Sequence, residues 1–170
     1  KKIHDLSQDT EAQIFNRPFL LLTGDAGIGK THLLCDLAGR LINENEEKIS
    51  PCIICFGEQF NDSESFWETL FKFLEITTTK NEFLSELNTL AEHNNQRALI
   101  IIDALNENVL SSPNYWKIHL LQILEDIKQH SNIALIVSIR SGFENIVLNN
   151  EIISLFSLVQ HDGFALHEWE

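Results

Sequence analysis

The sequence predicts an α/β fold in three layers, a five-stranded parallel sheet with helices packed on both faces. Three observations carry this. Apolar runs of strand length alternate with segments of helical periodicity, as β-α units demand. The runs are apolar almost throughout instead of at every second residue, as strands covered on both sides must be. The first of them also passes through a glycine-bearing stretch straight into a helical stripe, which fixes one β-turn-α unit.

The five strand candidates are residues 19–23, 52–56, 98–102, 133–139 and 152–159, each rich in Ile, Leu, Val or Phe. Between them, Leu33, Leu34, Leu37, Leu41 and Ile42 form one helical stripe, and Phe66, Leu70, Phe71 and Leu74 a second. Phe83, Leu84, Leu87, Leu90 and Ala91 mark a third. Leu120, Leu121, Leu124 and Ile127 mark a fourth, after the turn signal Ser111-Ser112-Pro113-Asn114. These stripes are read as core contacts. The acidic cluster Glu44, Glu46, Glu47 is read as a solvated helix end or loop.

At 170 residues and 44% hydrophobic, the chain is long enough for one domain with its own core. It opens at Lys1 without an initiator methionine and closes on Glu168, Trp169 and Glu170 with no tail-like composition. The expectation is a single domain over residues 1–170, cut from a longer multidomain protein. Twelve Lys and Arg against 25 Asp and Glu give a formal charge of -13, which repels phosphate backbones and anionic membrane surfaces. The reading is therefore no direct nucleic acid and no membrane. No apolar run reaches the roughly 20 residues that span a bilayer, and the acidic start with Asp5, Asp9 and Glu11 is unlike a signal peptide. Three cysteines, an odd number, fit a reducing, cytoplasmic setting. Cys52-x-x-Cys55 lies inside an apolar strand without a second ligand pair, and is read as structural.

Gly24-Asp25-Ala26-Gly27-Ile28-Gly29-Lys30-Thr31 matches G-x-x-x-x-G-K-S/T, between a strand and a helix as that motif requires. Its glycines let the backbone curl so that successive N–H groups face phosphate oxygens, and the next helix adds the positive end of its dipole. Lys30 is placed to meet the β- and γ-phosphates, and the Thr31 hydroxyl to coordinate magnesium. His32 is grouped with the nucleotide-binding loop as its flanking position, with its side chain on the helix surface.

Residues 98–102 form an apolar strand closed by Asp103, an arrangement that sets a magnesium-holding aspartate at the carboxyl edge of a sheet. Glu107, four residues on, stands where it would orient or deprotonate an attacking water. Arg140 closes the strand 133–139 and would face the same crevice as Lys30 and Asp103.

Together the loop, the run Ile102-Asp103-Ala104-Leu105-Asn106-Glu107, Ile139-Arg140-Ser141 and His161-Asp162-Gly163-Phe164 resemble the STAND NTPases. These are the signal-transduction ATPases that include the NACHT proteins, with bacterial members in antiviral (AVAST-type) defence. The acid run is similar to their Asp-x-x-Asp-Glu style, with Asn106 where the commonest form has an acid. The resemblance implies a P-loop NTPase fold with strand order 5-1-4-3-2, ATP or ADP with Mg2+ as ligand, and slow hydrolysis. It also implies that Arg140 monitors the γ-phosphate, and that ATP favours an open, self-associating form of the full-length protein.

Three other functions compete. A DNA-directed AAA+ ATPase such as a helicase loader shares the string Gly29-Lys30-Thr31-His32-Leu33-Leu34. Charge and the lack of a second acid at Ala104, next to Asp103, argue against it. A P-loop kinase would need an arginine-bearing lid, and none is visible. An assembly module that binds ATP without hydrolysing it is kept open by Asn106.

Overall fold

The computed structural model describes residues 18–43, 50–107, 112 and 114–163. The acidic cluster Glu44, Glu46, Glu47, the turn residues Ser111 and Pro113, Phe164 and both chain ends lie outside the described residues.

Five parallel strands form one sheet in the order β2-β3-β4-β1-β5, the expected 5-1-4-3-2 read from the other edge. They are β1 Phe19–Gly24, β2 Cys52–Phe56, β3 Ala98–Asp103, β4 Ile133–Arg140 and β5 Ser157–Gln160. The helices are α1 Lys30–Asn43, α2 Phe66–Phe73, α3 Lys80–His93, α4 Tyr115–Lys128, and the short α5 Glu144–Val147 and α6 Asn150–Ser154. None of the described helices is long and apolar enough to cross a membrane.

The two-residue period of the strands divides the core. Leu20, Leu22, Leu99, Ile101, Ala134 and Ile136 point to the face covered by α1 through Leu34 and Ala38. Their neighbours Leu21, Ile100, Ile102, Leu135 and Val137 point to the opposite face and pack with residues of α2, α3 and α4. Burial on both faces explains why the runs carry no polar alternation. The same period puts Cys52 on the first face and Cys55 on the second, so the Cys-x-x-Cys spacing does not pair its thiols. Burial pushes Cys52 up to about 11 and Cys55 further, and the Cys55 thiol donates to Ile101 O at 3.3 Å.

The helical layer of the second face is pinned by one buried carboxylate. Asp126 of α4, 7% exposed, accepts from Trp67 Nε1 at 2.8 Å, Lys80 Nζ at 2.7 Å and Gln122 Nε2 at 3.1 Å, tying α2, α3 and α4 together. Ser65 and Thr79 cap α2 and α3 in reciprocal boxes with Glu68 and Glu82.

One expectation is corrected. The apolar run 152–159 is not a single strand: Ile152 and Ile153 belong to α6, and only residues 157–160 pair with β1. Asn149 starts that helix by accepting from Ile152 N–H at 2.8 Å, and Ile152 and Phe156 bury against the second face. A short apolar run has no periodicity to separate a buried helical turn from a strand.

Candidate functional site

The strand ends set the site. β1, β3 and β4 run one residue further than their apolar stretches, to Gly24, Asp103 and Arg140, so all three reach the same carboxyl edge of the sheet. Gly24 is opposite Arg140, and Phe56 opposite Asp103. An open parallel sheet gathers ligand-binding groups at this edge.

From Gly24 the chain turns into α1 through Asp25 to Gly29. Gly27 and Gly29 take φ of 71° and 103°, conformations that a Cβ resists. Leu33 N–H already closes the first turn of α1 on Gly29 O at 2.9 Å. Lys30 folds back over the loop, its ammonium donating to Gly24 O at 2.8 Å and Asp25 O at 2.9 Å. Burial is the largest influence on that ammonium and lowers its pKa; Asp103, Asp25 and Glu107 act in the opposite direction, and Arg140 adds to the lowering. All four of those charged groups are therefore within electrostatic reach of Lys30.

Asp103 is 1% exposed, and a carboxylate so buried requires partners. It has two hydroxyls. Thr31 Oγ1 donates to Oδ2 at 2.5 Å, and Ser138 Oγ donates to Oδ1. With its proton committed to Asp103, the Thr31 oxygen keeps its lone pairs for a cation. That donor set fits magnesium, which takes few protein oxygens and completes its shell with water and substrate phosphate. Among the described residues no cluster of three or more His, Cys, Asp or Glu offers a self-sufficient metal cage.

Beyond Asp103, Ala104 adopts φ 57° and a single 3-10 turn, Leu105–Glu107, closes with Glu107 N–H on Ala104 O at 2.9 Å. Glu107 is exposed on that turn. Arg140 is exposed as well, its guanidinium 5.5 Å from the Phe143 ring centroid, and among the described residues it forms no ion pair with a carboxylate. His32 follows Thr31 in the first turn of α1, and its exposed imidazole lies 3.6 Å from Asp36, one turn along the helix. His161 is buried beside the loop, with its N–H on Thr23 O at 2.8 Å.

Two residues of the site, Ser138 and Gly57, lie outside the motifs, and two within them, Ala104 and Asn106, have contacts that the motifs do not show. Ser138 holds Asp103 and also accepts from Ala104 N–H at 2.8 Å. The Asn106 amide oxygen accepts from Arg140 N–H at 2.9 Å. Ala104 carries the left-handed turn, and Gly57 abuts it, since a Cβ there would fall 2.4 Å from Ala104 O. The one available signal was Ser138, a lone hydroxyl in an otherwise apolar buried strand.

A phosphate-binding loop between β1 and α1, with an acid closing β3 beside it, on a sheet of this order, defines a P-loop NTPase. The AAA domain family matches residues 12–147, and the chain belongs to that family of P-loop ATPases. An alanine after Asp103 therefore does not set it outside the AAA group. No curated protein matches the chain. Among solved structures it is similar to a Walker-type ATPase of Pyrococcus abyssi (16% identity, TM-score 0.61, covering 95% of this chain and 53% of that one). It is also similar to the Drosophila ORC bound to poly(dA/dT) DNA and Cdc6 (13%, 0.64, 96% and 28%) and to AMPPCP-bound DnaA from Aquifex aeolicus (14%, 0.54, 95% and 47%). At these identities the likeness is one of fold, and the chain spans about half or less of those chains.

Proposed function

We propose that this domain binds ATP with magnesium through residues 24–31, hydrolyses it slowly, and serves as a STAND-type switch. In that switch ATP favours self-association of a longer protein, in bacterial defence. The observation that carries the nucleotide reading is the Thr31–Asp103–Ser138 chain of hydroxyls and carboxylate beside Lys30. In this reading the main-chain N–H groups of the loop cradle the phosphates and Lys30 exchanges its carbonyl partners for phosphate oxygens. Thr31 and, behind it, Asp103 hold magnesium, which would neutralise charge on the β- and γ-phosphates. Glu107 orients and deprotonates the attacking water, and Arg140 meets the γ-phosphate.

The STAND assignment and the defence role rest on the separated acids Asp103 and Glu107, on Arg140 and on the resemblance stated above. The second reading, a DNA-directed AAA+ ATPase, is favoured by the fold likeness to the DNA-bound ORC and opposed by the charge of -13. A salt-sensitive shift of a DNA probe would decide for it.

The test is calorimetry and turnover on the parent and on Glu107→Gln. ATP binding that depends on magnesium is expected in both, with turnover lowered about 100-fold or more in the variant. No binding at millimolar ATP sinks the whole reading, and unchanged turnover removes Glu107 from it.

A further inference from the structure

The paired ladder between β3 and β4 runs from Ala98 opposite Ile133 to Ile102 opposite Val137. Past that pair, side chains join the two strand ends. Ser138, 0% exposed, bonds Asp103 and receives Ala104 N–H. Two residues further on, the Asn106 amide oxygen receives Arg140 N–H. The second fastening is made from within the turn that carries Glu107, Leu105–Glu107, which is entered through Ala104 in a left-handed conformation that costs a non-glycine residue about 1–2 kcal/mol. A strained turn persists only where its surroundings over-determine it.

We infer that Asn106 is a positioning residue, which through its amide oxygen couples the backbone of Arg140 to the turn bearing Glu107, so that the two groups move as one unit. The inference rests on the nucleotide reading above and extends it. Glu107 is one residue from Asn106, and Arg140 owns the N–H that Asn106 holds, so a γ-phosphate oxygen engaging the guanidinium pulls on the same loop that aims the carboxylate. Asn106 is then not a missing acid. An aspartate would accept the same hydrogen bond, because only the acceptor oxygen is used. The side chain is partly exposed and Arg140 is exposed, so removing the bond leaves its N–H to water and spares the fold.

The experiment compares Asn106→Ala and Asn106→Asp with the parent. Amide hydrogen exchange at Arg140 and ATP turnover at saturating nucleotide are measured, with ATP affinity and melting temperature as controls. Asn106→Ala should speed exchange at Arg140 and lower turnover by about tenfold or more, since small misplacements of a catalytic group are costly, while affinity and melting stay close to the parent. Asn106→Asp should restore both protection and turnover to within about twofold. Unchanged exchange in Asn106→Ala overturns the coupling. So does a rise in turnover above the parent in Asn106→Asp, which would make the position a catalytic acid. If the parent turns over ATP and Glu107→Gln does not, while Asn106→Ala is silent, only this inference fails. If Glu107→Gln retains turnover, Glu107 leaves the mechanism while nucleotide binding stands, and the exchange at Arg140 still reports on the bond.

Discussion

Replacing Gly57 by alanine puts a methyl group against the turn that carries Glu107. The ideal Cβ would lie 2.4 Å from Ala104 O, 3.0 Å from Ala104 C and 3.1 Å from Leu105 Cα. All three are backbone atoms, so no rotamer relieves the overlap. A relaxed carbon–oxygen contact is about 3.3 Å, so the two turns must separate by about 0.9 Å. Overpacking of this kind costs about 1–3 kcal/mol, within the roughly 5–15 kcal/mol that a domain has to lose. For a chain of this size it lowers the melting temperature by about 2–4 °C per kcal/mol. Ala104 O is the acceptor that closes the turn on Glu107 N–H, so the carboxylate moves with it. A misplacement near 1 Å costs about 100-fold in rate, so a shift passed on in part should lower turnover about 10- to 100-fold. The three nearest obstructing atoms all belong to Ala104 and Leu105 and none to the loop 24–31, so ATP affinity should stay within about threefold. Steady-state turnover, calorimetric affinity and thermal melting on one preparation make the test. Turnover within twofold of the parent in a protein whose melting temperature has fallen would refute the link between this contact and Glu107. A parallel loss of ATP binding would show that the loop, not the turn, had been disturbed.

Two further outcomes follow from the same geometry. Asp126→Ala strands the indole N–H of Trp67 in the core, at about 1–3 kcal/mol, and frees Lys80, whose share is about 1 kcal/mol or less because it is 35% exposed. Denaturant unfolding should register a loss of about 1–4 kcal/mol, and a loss below about 1 kcal/mol would show that the cluster does not pin the helices. Lys30 titrates below its ordinary 10.5, chiefly through burial, so ATP affinity measured by calorimetry should begin to fall with rising pH before an ordinary lysine would lose its proton. The sign for stability is opposite: between the lowered value and 10.5 the unfolded chain binds the extra proton, so unfolding free energy rises with pH across that window. Affinity that stays flat up to 10.5 would contradict the burial argument.

The parts of the site legible in the sequence are those that a single segment specifies. A glycine-lysine-threonine loop between an apolar run and a helical stripe can be read because strand, turn and helix are contiguous. Asp103 can be read because a carboxylate ending an apolar strand is costly without a purpose. The sheet order came with the resemblance, since no local signal tells which strands become neighbours. What stayed hidden depends on juxtaposition across the sheet: Ser138 reaching Asp103 from β4, Asn106 reaching Arg140, and Gly57 abutting Ala104. No periodicity encodes such pairs. The misread run 152–159 failed for a different reason, because a five-residue helix buried on one side and an edge strand are both short and rich in Ile, Leu, Val and Phe, with too few residues for a period to tell them apart.

The charge balance of the site explains why its hydroxyls matter as much as its ions. Asp103, Asp25, Glu107 and Arg140 all act electrostatically on Lys30, three acids against two cations, so the site is net negative before any triphosphate arrives, within a chain of charge -13. At an effective dielectric of about 20, each unit pair at 4 Å is worth about 4 kcal/mol, and the helix dipole of α1 supplies only about half a charge. Loop amides and one ammonium could not offset that field if Asp103 also claimed the lysine as an ion-pair partner. The geometry avoids this. Asp103 is satisfied by Thr31 and Ser138, and Lys30 rests on two neutral carbonyls. Trading a carbonyl for a phosphate oxygen replaces a neutral acceptor by a charged one, which favours the exchange, whereas trading a carboxylate for it would gain little. A polyanion can therefore be accepted by an acidic domain because the buried acid is fastened by O–H groups and the cation is held in reserve.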